Sequence, residues 1–422
     1  MIPRQSTNEL DRLASSSRGR LAVVSGARQV GKTTLVRRTR PDWTYLDLDD
    51  PVTRPLLANL TAQDWLSRYR NVIVDEVQKL PSLFETFKAC HDRDPEFRAI
   101  LLGSSQLLVL KGVRESLAGR AAMLELFPLM LSEIVAHRAG REPDGKIGQL
   151  LTSGDPAGLL DSWADPLRRL DPVAAIETAA WERMKIEGGM PVLWANDDWT
   201  ESDKRLWRED YVRTYLQKDL ADVARLEHLE PFVRLLRMAC LRTAQTANWS
   251  DLASDAGVSS PSAKTWMSHL EAGYHAVLLQ PWFRNREKRL AKSPKVHILD
   301  AGVRRAVLRK SGEPDGAEFE TAVVGEFWKA IKTQRLPVDP YHLRTVDGRE
   351  IDLLIERDDG YFAIECKSTR HAEASDARHF SSLETILDKP LLAGLVVSDD
   401  ADFRRLDAER PVWAVPASAI AG

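Results

Sequence analysis

A glycine-rich turn between a strand-length apolar run and a helix is the feature that most restricts how this chain folds. Residues 21–35 read LAVVSGARQVGKTTL, which contains the pattern GxxxxGK[ST] from Gly26 to Thr33. Gly26 and Gly31 permit a tight ring of inward-pointing N–H groups, and the next helix adds the partial positive charge of its N-terminus. This arrangement binds phosphate. The pattern therefore predicts an α/β domain with a nucleotide site.

The loop residues have predicted roles at that site. Lys32 is expected to reach the β- and γ-phosphates, and the Thr33 hydroxyl to ligate Mg²⁺, so the expected cofactors are ATP and Mg²⁺. The predicted nucleotide-binding residues are Gly26, Ala27, Arg28, Gln29, Val30, Gly31, Lys32, Thr33 and Thr34. A chance glycine–lysine turn is the alternative, and the flanking strand and helix disfavour it.

The apolar strand that begins at Asn71 ends in two carboxylates, Asp75 and Glu76. Asp75 is predicted to hold Mg²⁺, directly or through water, and Glu76 to polarise the attacking water as a general base. A solvated acidic loop after a core strand is the alternative. The preceding phosphate loop favours the catalytic interpretation, and a Glu after the Asp favours hydrolysis over nucleotide binding alone.

Further polar groups are candidates for catalysis. Ser104 and Ser105 follow an apolar strand, where a hydroxyl could sense the γ-phosphate or orient the water; a helix N-cap is the alternative. Arg120 is the first choice, and Arg114 the second, for an arginine that reaches the nucleotide of a neighbouring subunit. For either arginine, a surface salt bridge is the alternative.

Four regions follow from the pattern of strands, helices and turns. Helix-length segments separate apolar runs, which predicts a parallel sheet covered on both faces. The runs are Leu21–Ser25, Trp43–Asp47, Asn71–Asp75, Ala99–Gly103 and Ala121–Leu126. We predict an ATPase domain over 1–135, a helical lid or connector over 136–230, a winged helix-turn-helix over 231–310, and a small α/β domain over 311–422.

Composition predicts the cellular compartment. Cys90, Cys240 and Cys366 lie far apart and form no CxxC pair, which disfavours a zinc site or a disulfide framework and favours the cytoplasm. No run reaches the roughly 18 uninterrupted apolar residues that a membrane helix needs. The first residues are charged and lack the apolar core of a secretory signal, so no membrane partner is expected.

Several motifs in fixed order resemble one family. They are GARQVGKTTL, VIVDEVQ, LLGSSQLL, ESLAGR, LFPLMLSE, GGMP at 188–191, WREDYVRTYLQKDL at 207–220 and NREKRLAKSPKVHILDAGV at 285–303. Together they resemble predicted AAA-type ATPases of bacteria and archaea that carry a C-terminal domain with a restriction-endonuclease-like core. The resemblance implies an AAA+ fold and a homo-oligomeric ring, such as a hexamer, with nucleotide at the subunit interface.

The third region has a helix-turn-helix pattern followed by a basic stretch. Residues Ser250–Ser259 read as a capped short helix, a turn at Gly257 and the N-cap of a second helix, which has Pro261 in its first turn; a strand over Ala276–Trp282 follows. Residues 284–295 then hold six basic residues and one acid. The layout predicts DNA phosphate contacts from Lys264, Arg284, Arg286, Lys288, Arg289, Lys292 and Lys295. A protein-binding module or a solvated charged face is the alternative.

The last region carries a pattern similar to the D…ExK motif of restriction-like nucleases. Asp352 is predicted on one strand, with Glu365 and Lys367 on one face of the next. Glu326, on the preceding helix, would complete a Mg²⁺ site that activates water for phosphodiester cleavage. A chance pair on a hairpin edge is the alternative.

Two functions fit these observations. The first is an ATP-hydrolysing motor that engages DNA, including branched or single-stranded DNA, through the winged helix and the nuclease-like domain. The second is a nucleotide-gated regulator whose winged helix binds proteins and whose last domain is inert. A pure nuclease with ATP as a structural ligand is disfavoured, because Asp75 and Glu76 are suited to turnover.

Overall fold

The chain folds into helices packed around three sheets. This computed structural model describes residues 2–421 except 15, 17–18, 105–115, 166, 217–228, 286, 288, 290–291 and 346–347. Strands β1 to β14 are Leu21–Ser25, Thr44–Asp47, Asn71–Asp75, Arg98–Gly103, Ala121–Glu125, Gln245–Thr246, Ala276–Leu279, Lys295–Ile298, Asp339–Arg344, Glu350–Arg357, Gly360–Lys367, Leu391–Ser398, Arg404–Asp407 and Val412–Pro416. The α-helices are Ser6–Ala14, Lys32–Thr39, Thr53–Ala58, Ala62–Arg68, Ser82–Arg93, Leu131–Ala139, Lys146–Thr152, Pro156–Trp163, Pro172–Glu187, Pro191–Ala195, Glu201–Tyr211, Leu229–Leu241, Trp249–Ala256, Ser260–Ala272, Ala301–Leu308, Gly316–Gln334, Leu383–Ile386 and Ala417–Ala421.

The first sheet is parallel, with strand order β2-β3-β4-β1-β5 in the described part of the chain. All five predicted strands are present, with ends that differ by at most one residue. Leu21 and Val23 pack into one apolar cluster, while Ala22 and Val24 pack into another. Strand β1 is therefore buried on both faces, as a parallel sheet requires. Because the strands are parallel, Ser25, Asp75 and Gly103 end at the same edge.

Helices connect this sheet to the rest of the molecule. The helix Pro172–Glu187 packs against Leu131–Ala139, Ala301–Leu308 and the terminal helix Ala417–Ala421. Asp171 caps its start by accepting a hydrogen bond from the Val173 N–H. This helix therefore links the helix that follows the first sheet to the helix at Ala417–Ala421.

The helix-turn-helix pattern occurs as two helices, Trp249–Ala256 and Ser260–Ala272, beside the antiparallel sheet β6-β8-β7. Gly257 takes a φ of 72° between the helices, a conformation that favours glycine. The first helix begins one residue earlier than predicted because the Asn248 side chain accepts from the N–H groups of Ser250 and Asp251. Strand β7 ends at Leu279 rather than at Trp282.

The C-terminal region forms a separate mixed sheet, with order β13-β14-β12-β11-β10-β9 among the described strands. The predicted hairpin is β10 and β11, which pair antiparallel from Leu353 opposite Ile364. The helix Gly316–Gln334 packs on these two strands and on β8. This packing brings the second and third sheets together around the side chains described below.

A membrane span is absent from the described residues, because none of their helices combines the necessary length with sufficient apolar character.

Candidate nucleotide site and C-terminal carboxylate cluster

The phosphate loop has the backbone that its glycines permit. Gly31 takes a φ of 96°, and a Cβ on Gly26 would lie 2.1 Å from the Leu126 carbonyl oxygen. The adjoining Gln29 also has a positive φ, of 62°. Ala27 and Val30 are buried, Arg28 is half-buried, and Gln29 and Thr34 are exposed. The loop is thus held tightly against β5 while part of its rim faces solvent.

An arginine from the N-terminus supports the loop. Arg4 donates to the Val30 carbonyl at 3.2 Å and to the Phe127 carbonyl at 2.5 Å. Its guanidinium also pairs with Glu133 at 3.2 Å. Arg4 was not predicted, since no local pattern relates it to a loop more than twenty residues away.

Lys32 lies along the loop and is 7% exposed. Its ammonium group donates to the carbonyls of Gly26 at 2.9 Å and Ala27 at 2.8 Å. Both acceptors belong to the loop itself, so the ammonium group brings its positive charge to the loop. A phosphate anion placed over the loop would meet that charge.

Thr33 and Asp75 meet at the carboxyl edge of the sheet. The Thr33 hydroxyl donates to Asp75 Oδ2 at 2.6 Å, and the Tyr45 hydroxyl donates to the same oxygen at 2.9 Å. Asp75 Oδ1 accepts from the N–H of Glu76 at 2.9 Å. A hydroxyl and a carboxylate are hard oxygen ligands, so this pair fits Mg²⁺.

Tyr45 was not predicted. It lies on β2, the strand next to β3, and Asp47 of β2 stands opposite Asp75 in the sheet register. Burial, together with the negative charge of Asp75, raises the pKa of the Tyr45 hydroxyl, which therefore remains a proton donor. The signal that could have found Tyr45 is the position of a hydroxyl near the end of a neighbouring strand.

Glu76 projects beyond the strand with a φ of 51°. The Ser104 hydroxyl donates to Glu76 Oε2 at 3.3 Å, and the Gln78 amide contacts both residues. The predicted base and the predicted sensor hydroxyl are therefore neighbours. The other two candidates, Ser105 and Arg114, lie outside the described residues.

Arg120 pairs with Asp92 at 2.8 Å and 3.0 Å, which is the salt bridge that the sequence left open. It immediately precedes β5, at the sheet edge opposite to the one where Ser25 and Asp75 lie. Within its own chain it is therefore remote from the phosphate loop.

The central region, residues 136–310, contacts the phosphate loop directly. The hydroxyls of Ser25 and Tyr274 are 2.5 Å apart and buried, and Ser25 immediately precedes Gly26. Tyr274 has a φ of 65°, between the helix Ser260–Ala272 and β7. The Tyr211 hydroxyl donates to the Arg28 carbonyl at 3.3 Å. Neither tyrosine was predicted, because their partners are distant in the chain.

Two predicted DNA contacts are wrong in their placement. Lys295 and Arg289 were expected on an exposed basic wing, but they are 2% and 6% exposed. Arg289 pairs with Glu356 at 2.6 Å and donates to the Phe283 carbonyl at 2.7 Å. The cause is packing against the C-terminal sheet, whose carboxylates attract these cations.

The remaining cations of the predicted wing differ in environment. Lys264 and Lys292 are exposed. Arg284 is also exposed, but it donates to the carbonyls of Ile386 and Leu387 at 3.2 Å. Arg286 and Lys288 lie outside the described residues.

Three carboxylates gather around a lysine, and of these only Asp352 was predicted. Lys295 Nζ lies 2.6 Å from Glu320 Oε1, 2.9 Å from Glu350 Oε1 and 3.1 Å from Asp352 Oδ1. We call Lys295, Glu320, Glu350, Asp352 and Glu365 the carboxylate cluster. Glu365 lies on β11 and accepts from Lys367 at 2.7 Å. The pairing of Glu365 with Lys367 on one face agrees with the predicted hairpin.

Crowding of like charges affects the acids of this cluster. Burial and then the charge of Asp352 raise the pKa of Glu320 to about 8 and that of Glu365 to about 7. For Lys295, burial lowers the pKa, but the attraction of Asp352, Glu320 and Glu350 outweighs it and raises the pKa overall. Lys295 is thus held in its charged form.

The prediction that Glu326 completes the cluster is wrong. Glu326 is buried on the other side of the helix Gly316–Gln334, where it accepts from the Leu131 N–H at 2.8 Å and pairs with Lys329. Glu320 occupies the expected position instead. The described residues contain no group of three or more His, Cys, Asp or Glu side chains arranged to hold a metal ion. The Mg²⁺ site at Asp352 and Glu365 stays a prediction.

Parts of the chain match known families. Residues 18–135 match the AAA domain family. Residues 178–313 and 315–420 match two domains of unknown function, DUF8612 and DUF4143. Uncharacterized proteins of Mycobacterium bovis and Mycobacterium tuberculosis are each 26% identical to this chain over 414 residues, which is 96% of this chain and 81% of each relative.

Solved structures give weaker likenesses. A Walker-type ATPase of Pyrococcus abyssi is 15% identical, with 73% of this chain and 96% of that one covered and a TM-score of 0.47. The ORC2 protein of Aeropyrum pernix is 16% identical, with 66% and 89% covered and a TM-score of 0.35. From the AAA domain match and the loop geometry, we conclude that the N-terminal part is an AAA-type P-loop ATPase domain.

Proposed function

We propose that this chain hydrolyses Mg-ATP and acts as a nucleotide-gated regulatory ATPase. The observation that carries the proposal is the hydrogen bond from Thr33 to Asp75 beside a phosphate loop that holds the Lys32 ammonium group. This combination offers a charge for the phosphates and two hard oxygen ligands in one place.

Each residue has a role in the proposed reaction. Lys32 and the loop N–H groups bind the phosphates, and Thr33 and Asp75 would hold Mg²⁺, which neutralises phosphate charge when bound. Tyr45 orients the Asp75 carboxylate through its hydroxyl. Glu76 accepts a proton from the attacking water, and Ser104 positions Glu76 through their hydrogen bond.

The regulatory part of the proposal rests on two tyrosines. The Tyr274 hydroxyl contacts Ser25, immediately before the loop, and the Tyr211 hydroxyl contacts the Arg28 carbonyl within it. Residues outside the predicted ATPase domain therefore contact the loop at two points. A nucleotide that shifts the loop would change both contacts. A nucleotide shifts a conformational equilibrium only if its contacts differ between the two conformations. These hydrogen bonds would differ between the nucleotide-bound and the free loop, so they connect the nucleotide to the helix-turn-helix pair.

Phosphate release from ATP by the full chain tests the enzyme proposal. We expect Mg²⁺-dependent turnover that is abolished by EDTA and reduced by about 100-fold in Glu76→Gln, with ATP binding retained. Glu85→Gln, an exposed glutamate on the helix Ser82–Arg93, is the matched control and should retain full turnover. Wild-type turnover in Glu76→Gln would contradict the role of this residue.

DNA engagement is the second candidate, favoured by exposed Lys264 on the second helix of the helix-turn-helix pair. Turnover measured with linear, branched and single-stranded DNA tests it. A DNA-binding motor predicts stimulation by one of these forms that weakens with salt and in Lys264→Ala, but not in Lys88→Ala. Turnover that is unchanged by every DNA form supports the regulator instead.

A ring of subunits, such as a hexamer, belongs to the same proposal. Arg120 lies at the sheet edge opposite to the loop, so an arginine of this position could meet a nucleotide only across a subunit boundary. Sedimentation with and without ATP tests assembly. Arg120→Ala should lower turnover only where the protein assembles.

A further inference from the structure

The carboxylate cluster contains a positive charge that comes from another sheet. Lys295 begins β8, whereas Glu350 and Asp352 lie on β10 and Glu320 on the helix Gly316–Gln334. Its ammonium nitrogen is within 3.1 Å of one oxygen from each of these acids. A lysine that is only 2% exposed needs such partners, since a buried ammonium is otherwise strongly disfavoured.

The lysine occupies the place where a cation would be attracted most strongly. Three carboxylate oxygens from different residues point at one position, and the ammonium group fills it. A divalent ion at that position would meet the lysine charge at a distance where repulsion is strong. The two cations therefore exclude each other.

A second observation indicates unused ligand capacity. Glu365 is 4% exposed, and its Oε1 accepts from Lys367. Its Oε2 has no hydrogen-bond partner among the residues that the structure describes. Asp352 uses its second oxygen for the Cys366 N–H at 2.9 Å, which orients the acid toward Lys295. A buried, unpaired carboxylate oxygen is costly, and an ion could satisfy it.

We propose that Lys295 takes the place of a divalent cation in the carboxylate cluster and keeps the C-terminal domain free of metal. The lysine supplies the positive charge that the acids require for folding. Removal of the ammonium group uncovers a site for Mg²⁺ or Mn²⁺ formed by Glu320, Glu350, Asp352 and Glu365. This inference goes beyond ATP turnover and does not depend on it.

A Mn²⁺ titration of the full chain without nucleotide tests the proposal. Both proteins carry Asp75→Asn, so that the nucleotide site does not contribute. We expect electron paramagnetic resonance to detect no Mn²⁺ in the cluster of this parent protein and one bound Mn²⁺ after Lys295→Met is added. Mn²⁺ should also raise the melting temperature of the Lys295→Met protein, and Asp352→Asn should abolish both effects.

Lys329→Met is the matched control. Lys329 is a buried lysine that pairs with Glu326 on the same long helix, but outside the carboxylate cluster. Its substitution removes a buried charge without uncovering several acids, so Mn²⁺ should not restore the melting temperature of this variant.

Two results would overturn the proposal. One is Mn²⁺ bound by the parent protein and lost on Asp352→Asn, which decides the matter whether or not the lysine variant folds. The other is a folded Lys295→Met protein that binds no Mn²⁺. If Lys295→Met does not fold, Lys295→Gln retains a hydrogen-bond donor and replaces it in the same titration.

Discussion

The nucleotide site and the carboxylate cluster each place an aspartate of a buried strand near a lysine, yet the two lysines have different partners. Lys32 donates to the carbonyls of Gly26 and Ala27, and in the described part of the chain Asp75 accepts from two hydroxyls and a backbone N–H. Lys295 bonds to the carboxylates themselves. The same residue types therefore leave the first aspartate available to an external cation and supply the second with an internal one.

The largest expected difference concerns stability. Lys295→Met should lower the free energy of unfolding by about 3–5 kcal/mol, because buried acids lose their cation. Lys32→Met removes the hydrogen bonds to the carbonyls of Gly26 and Ala27 and should cost less, about 1–2 kcal/mol. Urea denaturation without metal measures both. Equal losses would contradict the distinction between the two lysines.

Turnover should show the opposite order. Lys32→Ala is expected to lower phosphate release by at least about 100-fold, because it removes the charge that meets the β- and γ-phosphates. Lys295→Met, assayed below its melting temperature, should retain the turnover of the wild type. A large loss in Lys295→Met would mean that the cluster acts on the nucleotide site, and Lys88→Ala serves as the exposed control.

The aspartates extend the comparison with a smaller effect. Asp75→Asn should raise the Mg²⁺ concentration needed for half-maximal turnover by about tenfold, since a hard anionic ligand is lost. Asp352→Asn should leave that concentration unchanged while lowering the free energy of unfolding by about 1–3 kcal/mol. A metal titration of turnover, followed by denaturation, distinguishes these outcomes.

The strands and the nucleotide site were predictable because their signals are local. An apolar run that ends in Gly26 or in Asp75 defines both a strand and the sheet edge where the next side chains lie. Thr33, Asp75, Glu76 and Ser104 are brought together as the motif spacing indicates. Their chemical roles remain predictions.

The errors arose where a long-range contact decides the outcome. Glu320 and Glu326 are six residues apart on one helix, which turns them about 240° from each other, so only one can face β10. The sequence does not show which one. Lys295 and Arg289 belong to a basic stretch that resembles a solvated surface, and only their distant acidic partners reveal that they are buried.

The carboxylate cluster should also make the free energy of unfolding depend on pH. Burial and Asp352 raise the pKa of Glu320 to about 8, above its ordinary value. Its stabilising contribution is therefore fully present below the unfolded pKa and is lost as the pH rises through about 8. We expect the free energy of unfolding to fall by roughly 1–2 kcal/mol as the pH rises from the ordinary pKa of 4.5 to about 8, and to change no further from this group above that pH.

Glu320→Gln is the test of that slope. The amide resembles the protonated acid, so the fall with rising pH should become smaller in this variant. Glu85→Gln, which changes an exposed acid, should keep the slope of the wild type. A slope that is unaffected by Glu320→Gln would assign the pH dependence to other groups.

The smallest effect concerns the contact between the central region and the loop. Tyr274→Phe removes one buried hydroxyl partner of Ser25 and should cost about 1 kcal/mol, seen as a several-fold higher KM for ATP. Tyr69→Phe, which precedes β3 at the opposite sheet edge, should not change KM. If KM and kcat are both unchanged in Tyr274→Phe, the hydroxyl has no part in nucleotide binding.

The position of Lys295 on β8 limits where the C-terminal domain can be separated from the rest of the chain. The match to one domain family ends at residue 313 and the match to the next begins at residue 315, so a family boundary lies in the segment Ser311–Gly316. A fragment that starts beyond it would inherit the acids without their counterion. A viable fusion must therefore transmit β8 with the last sheet, or acquire a substitute cation in the same event.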